Sequence, residues 1–509
     1  MTRLLTRIAA ASLLAMSLSA CDHMMPAVPA GAPLDEVIDE DRQAVQKGVE
    51  PLGETLGLDQ AIARALKYNL DRRAKLMEEA LAARQVDEVG FDRIPKLLGS
   101  AGYSHRDEER TSRSKDSVTG APSLANPSIS QDKEHLFSSL TLSWNLLDYG
   151  LAHFSYQQAV DRALQAEARR RKASQLLVQD VRSAFFRAAS AQKLQGEVRA
   201  ALALAEDGLA DARKSEQEAL RNPLDSLRYQ RQLTENMRLL ESIEQELVAA
   251  RFELAALINA PVMQQVRLLA DDEPLPPDLL TTSVDEMELA ALRQNPDLRD
   301  HLLQRRIAQA EAYKAVGRML PNIGVSYGAY NDDDRYLINQ QWNEATVNVS
   351  FNLLNLLYLD RVERNGRAGV RLAEQRRLAA HVAVVTQVHV ARAQVAHART
   401  QFERADSLWS LDSRILEMTA KREQAQAGSK LDRVAAQTTA IISQLRRYQA
   451  LAQWHAAAGR LQATLGTDPV PDSTDDQSLE ALSRGVRQRL LSPLPQAAAP
   501  AAPAASVGG

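Results

Sequence analysis

The chain has 509 residues, with 61 Lys and Arg against 65 Asp and Glu, giving a formal net charge of −4 and a pI near 6.2. Without a basic excess it lacks the electrostatic footprint of a nucleic-acid binder, and no nucleic-acid partner is expected. Aromatic residues make up only 5%, and Ala, Leu, Arg, Gln and Glu dominate, a composition that favours long helices over a compact mixed core.

At the N-terminus Arg3 and Arg7 flank and precede an apolar run from Ile8 to Leu18, which closes on Leu18-Ser19-Ala20-Cys21. A positive start, an apolar stretch and small residues before a break make an export signal over residues 1–20. The closing residues resemble a bacterial lipobox, which makes Cys21 the lipidated first residue of the mature chain. Cys21 is also the single cysteine, so no internal disulfide is possible. Each buried acyl methylene adds about 0.8 kcal/mol to membrane attachment. Asp22 follows, and an acidic residue there resembles an inner-membrane retention signal of some bacteria, which bears on sorting. Beyond residue 21 no run of 18 apolar residues occurs, so any crossing of a membrane must be made by strands. Residues 21–54, with Pro26, Pro29, Pro33 and Pro51 among acidic side chains, read as an extended arm.

From there the sequence is written twice. Leu66-Lys67-Tyr68-Asn69-Leu70-Asp71 lies 226 residues before Leu292-Arg293-Gln294-Asn295-Pro296-Asp297, and Pro95 lies the same distance before Pro321. Trp144-Asn145-Leu146-Leu147 and Phe351-Asn352-Leu353-Leu354 are 207 apart, as are Leu224-Asp225 and Leu431-Asp432. Two fixed offsets that differ by 19 residues describe a duplicated unit with one loop shortened. The first repeat covers 55–261, a connection 262–284, the second repeat 285–470, and a C-terminal region 471–509 whose Pro- and Ala-rich end, 492–509, is expected to be disordered.

Each copy begins with a predicted helix, 59–94 and 285–319, bounded by an early Asp and a closing Pro. Each continues, after two strands, into a proline-free stretch, Tyr149 to Arg221 and Leu356 to Ala427. Leu177, Val181, Ala184 and Ala188 in the first stretch, and Val382, Val385, Val388 and Ala391 in the second, recur at helical spacing. A helix of about 70 residues spans roughly 105 Å. Return helices follow at Leu224–Ile258 and Leu431–Leu465. Half-length helices placed end to end match a full-length one, as a wall of uniform height requires, and the small residues Ala188, Ala189, Ala191, Ala391, Ala393, Ala396 and Ala398 allow close coiled-coil spacing.

The strands lie between. Leu97 to Ser104 and Leu136 to Leu146 form the first pair; Leu140, Leu142, Trp144 and Leu146 alternate with Ser139, Thr141, Ser143 and Asn145. In the second pair Ile323, Val325, Tyr327 and Ala329 alternate with polar and glycine residues, and so do Val347, Val349, Phe351 and Leu353. Period-2 alternation over about 8 to 11 residues suits a barrel strand with lipid on one face and water on the other. Four strands cannot close such a barrel, whose smallest members have about eight, so the chain must oligomerise to span. Polar loops join the strands of each pair, His105 to His135 and Asn331 to Glu344, and absorb the change of offset.

The order of these features over residues 55–470 resembles the TolC family of outer-membrane efflux proteins, in its lipoprotein branch. The resemblance implies a mainly α fold with a small β part. Long coiled-coil helices and four strands per chain would build, in a homotrimer, a 12-stranded outer-membrane barrel and an α-helical periplasmic tunnel. It also implies a periplasmic membrane-fusion adaptor and, through it, an inner-membrane pump of RND or ABC type, in efflux or type I secretion. The helix-to-helix turns of the family carry Gly-x-x-Ser-x-x-Asp-Val-Leu-x-Ala-Gln; here Gly428-Ser429-Lys430-Leu431-Asp432 has its glycine two residues nearer, and Arg221-Asn222-Pro223-Leu224-Asp225 has none. Asp432, Asp225, Arg221, Lys430 and Gly428 are therefore the candidate tip or gate residues, with Arg221 or Lys430 as partners for Asp432; Ala435 stands where some relatives carry a second acid. Both Asp residues also suit simple helix capping.

No chemistry is expected. His381, His389 and His397 are spaced eight apart, about 12 Å along a helix, too far for one ion. His-Glu-x-x-His, Cys-x-x-Cys, Gly-x-Ser-x-Gly and phosphate-binding glycine loops are absent, so neither an enzyme nor a cofactor is indicated. A second class of function, a lipid-anchored structural coiled coil without a pore, explains the helices equally well but leaves the strands without a purpose.

Overall fold

The computed structural model describes residues 34–466 and 477–491, apart from 114, 123–127, 218–222, 262–263, 265, 271–275, 277 and 428. The export signal, Cys21 and the tail from 492 onward lie outside the described residues. The chain divides into two units, Met1–Pro51 and Leu52–Gly509. In the first, α1 (Leu34–Gln46) replaces the extended arm expected there. No proline falls between Pro33 and Pro51, and Asp35 and Glu36 favour the start of a helix through its dipole.

The second unit runs β1 (Thr55–Leu56), α2 (Leu58–Tyr68), α3 (Leu70–Gly90), β2 (Lys96–His105), β3 (Arg110–Ser112), β4 (Ser128–Gln131), β5 (Glu134–Asn145), α4 (Leu146–Gln217) and α5 (Pro223–Leu257). After β6 (Arg267–Leu268) the second copy follows as α6 (Val284–Gln294), α7 (Pro296–Gly317), β7 (Asn322–Asp332), β8 (Gln341–Ser350), α8 (Asn355–Gln424) and α9 (Lys430–Thr464), and α10 (Leu479–Leu491) closes the order. Both offsets survive in three dimensions: α2 and α6 are 226 residues apart at each end, and α5 and α9 are 207 apart at each end.

Each predicted opening helix is broken once. Asn69 ends α2 and caps α3, and Asn295 ends α6 and caps α7, both with φ near −65° and ψ of 125°. The side-chain oxygen of Asn69 accepts from the Arg72 amide, and that of Asn295 from the amides of Asp297 and Leu298. Each side-chain amide donates to the last turn of the return helix, Asn69 to the Leu257 carbonyl and Asn295 to that of Thr464, at 3.2 Å in both cases. One asparagine thus fixes the bend and satisfies an orphan carbonyl that the end of a helix would otherwise leave. The pattern looked continuous in the sequence because helical residues stand on both sides of the break.

The long helices reach 72 residues in α4 and 70 in α8. The first half of α4 lies along α3 and α7 and its second half along α5 and α9, while α8 lies first along α7 and then along α9. Leu177, Val181, Ala184 and Ala188 are buried as their spacing predicts. In α8 the expected Val388 and Ala391 are buried, but in a stripe with Val384, Val395, Ala398 and Phe402 that alternates steps of 4 and 3, while Val382 is exposed and Val385 half-buried. That is a heptad seam, partly displaced from the expected register because valines occupy both sides of the helix. Ala188, Ala189, Ala191, Ala391 and Ala398 are buried, but Ala393 and Ala396 are not.

Two core clusters sit beside the asparagine bends. In the first copy Ile62 and Leu66 of α2 meet Val181, Phe185 and Phe186 of α4 and Leu254 of α5. In the second, Met287 and Ala291 of α6 meet Val388 and Val395 of α8 and Trp454 and Leu461 of α9. The first is completed by Leu482 and Val486 of α10, whose Ser483 hydroxyl donates to Asp59 at 2.9 Å. Each such large apolar side chain contributes about 1.5–3 kcal/mol on burial.

Candidate channel wall and helix tips

The four long strands form one antiparallel sheet in the order β2-β5-β7-β8. Register fixes the faces, because directly paired residues share a side. Leu97 pairs with Leu142, Leu142 with Tyr327, and Trp144 with Val325, which pairs with Val347. This apolar face is exposed throughout: Leu140 is 53% accessible and Val347 71%. The other face carries Ser100, Ser139, Thr141, Ser143, Ser326 and Asn348, including a hydroxyl pair between Ser100 and Ser139 at 2.7 Å. A sheet with an uncovered apolar face and an uncovered polar face fits a wall between lipid and water. β2 and β8 are its outermost strands, and among the described residues each has one edge with no strand hydrogen-bonded to it.

At the loop end of the sheet the segments expected as plain surface loops are tied together. The first holds a small hairpin, β3 with β4. Arg335 grips Asp132 with two nitrogens, at 2.5 and 2.8 Å, and His135 Nδ1 lies 2.8 Å from Asp332 Oδ1. Asp334 accepts from the Asp132 amide at 3.1 Å, and Asp333 from that of Leu136. Asp132 and Asp334 are almost fully buried. The Arg335 guanidinium holds the Asp132 carboxyl down at about 2, and Asp132 in turn raises Arg335. These pairs join residues about 200 apart, so no local pattern in the sequence reveals them.

At the opposite end of the helices, both return helices begin beside the same turn of α4. Ser226 donates to the Ala212 carbonyl at 3.3 Å, and Lys430 Nζ lies 2.6 Å from Asp211 Oδ2. Lys430 was expected to face Asp432; it reaches Asp211 instead, lowering that carboxyl while its own amine is raised. Asp432 completes a capping box: its amide donates to Ser429 Oγ at 3.2 Å, and its carboxylate accepts from the Ser429 hydroxyl at 2.8 Å and from the Ser429 amide at 3.3 Å. Asp225 stands in the first turn of α5, 3.7 Å from Arg228, both exposed. Arg221 and Gly428 lie outside the described residues. Asp211, which the tip motif does not include, is the residue that sequence reasoning missed; its signal is only its place in the last turns of α4.

Among the described residues no cluster of His, Cys, Asp and Glu could hold a metal ion, and no helix is long and apolar enough to cross a membrane. His389 pairs with Glu288 of α6 at 2.8 Å. One buried polar site inside the helical region is Arg182 on α4, donating to the His455 carbonyl and near Gln462 Oε1. Gly459 makes room for it, since a Cβ there would stand 2.5 Å from the guanidinium. Phe186 stacks on His455 at 4.3 Å, and burial with the nearby Arg182 charge pushes that imidazole down to about 3.

The family profile of the outer membrane efflux proteins matches residues 61–260, the span of the first repeat. The first repeat carries that family's sequence pattern. The fold agrees along nearly the whole chain. The CmeC outer-membrane channel of Campylobacter jejuni superposes with a TM-score of 0.63 at 14% identity, covering 86% of this chain and 90% of that one. The outer-membrane channel OprN gives 0.61 at 16% identity over 80% and 89%. The outer-membrane protein VceC of Vibrio cholerae gives 0.60 at 15% identity over 80% and 96%. No curated protein sequence matches significantly. The family match over the first repeat and the channel fold over most of the chain thus agree, and the second repeat, outside the family match, repeats the elements of the first at fixed offsets.

Proposed function

We propose that the chain is one third of a trimeric exit duct of a tripartite efflux or type I secretion system. Three copies close the sheet into a twelve-stranded barrel, the helices continue below it into the periplasm, and acylated Cys21 anchors each copy to outer-membrane lipid. The tips dock a periplasmic membrane-fusion adaptor and, through it, an inner-membrane RND or ABC pump. The observation that carries this reading is the sheet, apolar on one face, polar on the other and open at both edges. An open edge in lipid leaves backbone groups unpaired at several kcal/mol each, so the edges of one copy need those of the next. The helices also leave apolar surface uncovered: Leu408, Leu411, Ile415 and Met418 of α8 form an exposed stripe, and Leu224 and Leu227 are exposed at the start of α5.

The gate is assigned to the tips, where Lys430 and Asp211 hold α9 to the end of α4, with Asp225 and Asp432 on the helix starts beside them. Planar-bilayer recording and mass measurement of the purified full chain test the whole reading. Three copies per particle and steady conductance are expected; a helical, water-soluble, non-conducting chain after removal of the acyl group supports a structural coiled coil instead. Lys430→Ala is expected to raise resting conductance. If Asp432→Ala leaves conductance unchanged in intact trimers, that carboxylate only caps its helix.

A further inference from the structure

Three aromatic side chains stand together on the polar face of the sheet, where the alternation places mainly Ser, Thr, Asn and Gly. Tyr330 of β7 pairs directly with Trp342 of β8, their rings 5.4 Å apart and 13° from parallel, and Phe137 of β5 lies 6.1 Å from Tyr330. Gly328 explains the posture of the cluster. A Cβ at 328 would come within 2.7 Å of the Tyr330 ring, so the ring lies folded along its own strand over the glycine. The result is a flat ledge pressed against the wall, with the Trp342 side still 36% accessible.

Glu344 is paired with Gly328 and stands two residues from Trp342, on the same side of β8. It makes no ion pair among the described residues, and it accepts a hydrogen bond from the Thr346 hydroxyl at 3.4 Å. The other acid on this face near the ledge, Asp332, is engaged by His135. A stacked pair of rings with an adjacent unneutralised carboxylate attracts a planar group by stacking and a positive charge by both the ring quadrupole and Coulomb attraction. We propose that this ledge is a contact site for flat, positively charged aromatic solutes on the water-facing wall. The assignment of water to this face rests on the channel reading above; the ring stack and its carboxylate do not.

Ethidium, a planar aromatic cation, serves as the probe, titrated by fluorescence anisotropy against the detergent-solubilised full chain and by current block in planar bilayers. Trp342→Ala and Tyr330→Ala are each expected to weaken binding roughly tenfold, and Glu344→Gln roughly two- to fivefold. Trp342→Phe, which keeps a ring, restores most of the loss and guards against a misfolded alanine variant. Equal anisotropy titrations for wild type, Trp342→Ala and Glu344→Gln overturn the proposal, and so does equal binding of neutral phenanthrene where the charge component is concerned. Quenching of Trp342 by brominated lipid rather than by aqueous iodide would place the ledge in lipid and overturn it as well. These outcomes separate from failure of the channel reading, which shows as absent conductance in the wild type whatever the anisotropy reports.

Discussion

The two repeats solve the same problems at the same offsets, sometimes with the same residue and sometimes not. The bends use Asn69 and Asn295 and the same pair of hydrogen bonds. The ends of the return helices do not: both need a left-handed residue, supplied by Asn259 (φ 47°) in the first copy and Gly466 (φ 73°) in the second. In the second copy that residue is pressed against its neighbour, since a Cβ at 466 would lie 2.4 Å from the Gln294 Cβ and 3.0 Å from its backbone. The interiors of the return helices differ too. α9 is packed between α4 and α8 and buries His455, whereas the residues 207 earlier on α5 include the exposed Val248. Duplication preserved the joints of the wall, and each copy was then fitted to what lies beside it.

The sharpest way to break this comparison is at the paired left-handed positions. Gly466→Ala is expected to cost about 3 kcal/mol or more, from αL strain plus the clash with Gln294, while Asn259→Ala loses about 1 kcal/mol, measured by denaturant unfolding in detergent. Equal losses would mean that the two helix ends are packed alike. At the bends, Asn69→Ala and Asn295→Ala should each cost about 2–3 kcal/mol, a cap plus a carbonyl left without its partner. Here equality is the expectation, and a twofold disparity would show that the copies do not share their hinge energetics.

The buried histidine gives a pH test. Its folded value of about 3 lies below the unfolded value, so the unfolded chain binds more protons between the two, and stability is full above the unfolded value and falls as pH drops toward the folded one. Between pH 6.5 and 5.5 the loss is about 1 kcal/mol, read as a drop in melting temperature that His455→Phe should flatten. An effect of similar size is expected at the tip, where Ser429→Ala removes a cap worth about 1 kcal/mol and should raise amide exchange in the first turn of α9. Smallest in stability is Lys430→Ala, because its ion pair with Asp211 is exposed and screened by solvent; its effect belongs in conductance.

Much of this was legible in the sequence because the repeat supplied its own control. Pro95 and Pro321 marked the approach to each strand pair, the period-2 runs gave the two faces of the sheet, and the 207 offset located both return helices to within a residue. Three things escaped for physical reasons. The asparagine bends hide because a residue that ends one helix while capping the next interrupts no helical pattern. The seam of α8 was partly misplaced because apolar residues on the side left open within one chain look like core. The Arg335–Asp132 and Arg182–His455 contacts join residues about 200 and 270 apart, where periodicity carries no information. At the tips, Asp432 was visible as a residue, but its role in a capping box depended on the backbone geometry of Ser429.

The unequal loops of the two repeats carry one more consequence. The first repeat spends residues 106–133 between its strands and builds the β3–β4 hairpin there, while the second uses only 333–340. In a three-fold assembly the rim facing the surroundings of the cell would be scalloped, three raised hairpins alternating with three low turns. That makes the hairpin the natural handle for antibodies or phage and the place to splice a reporter peptide, and it gives the rim a sense of rotation that the wall beneath it lacks.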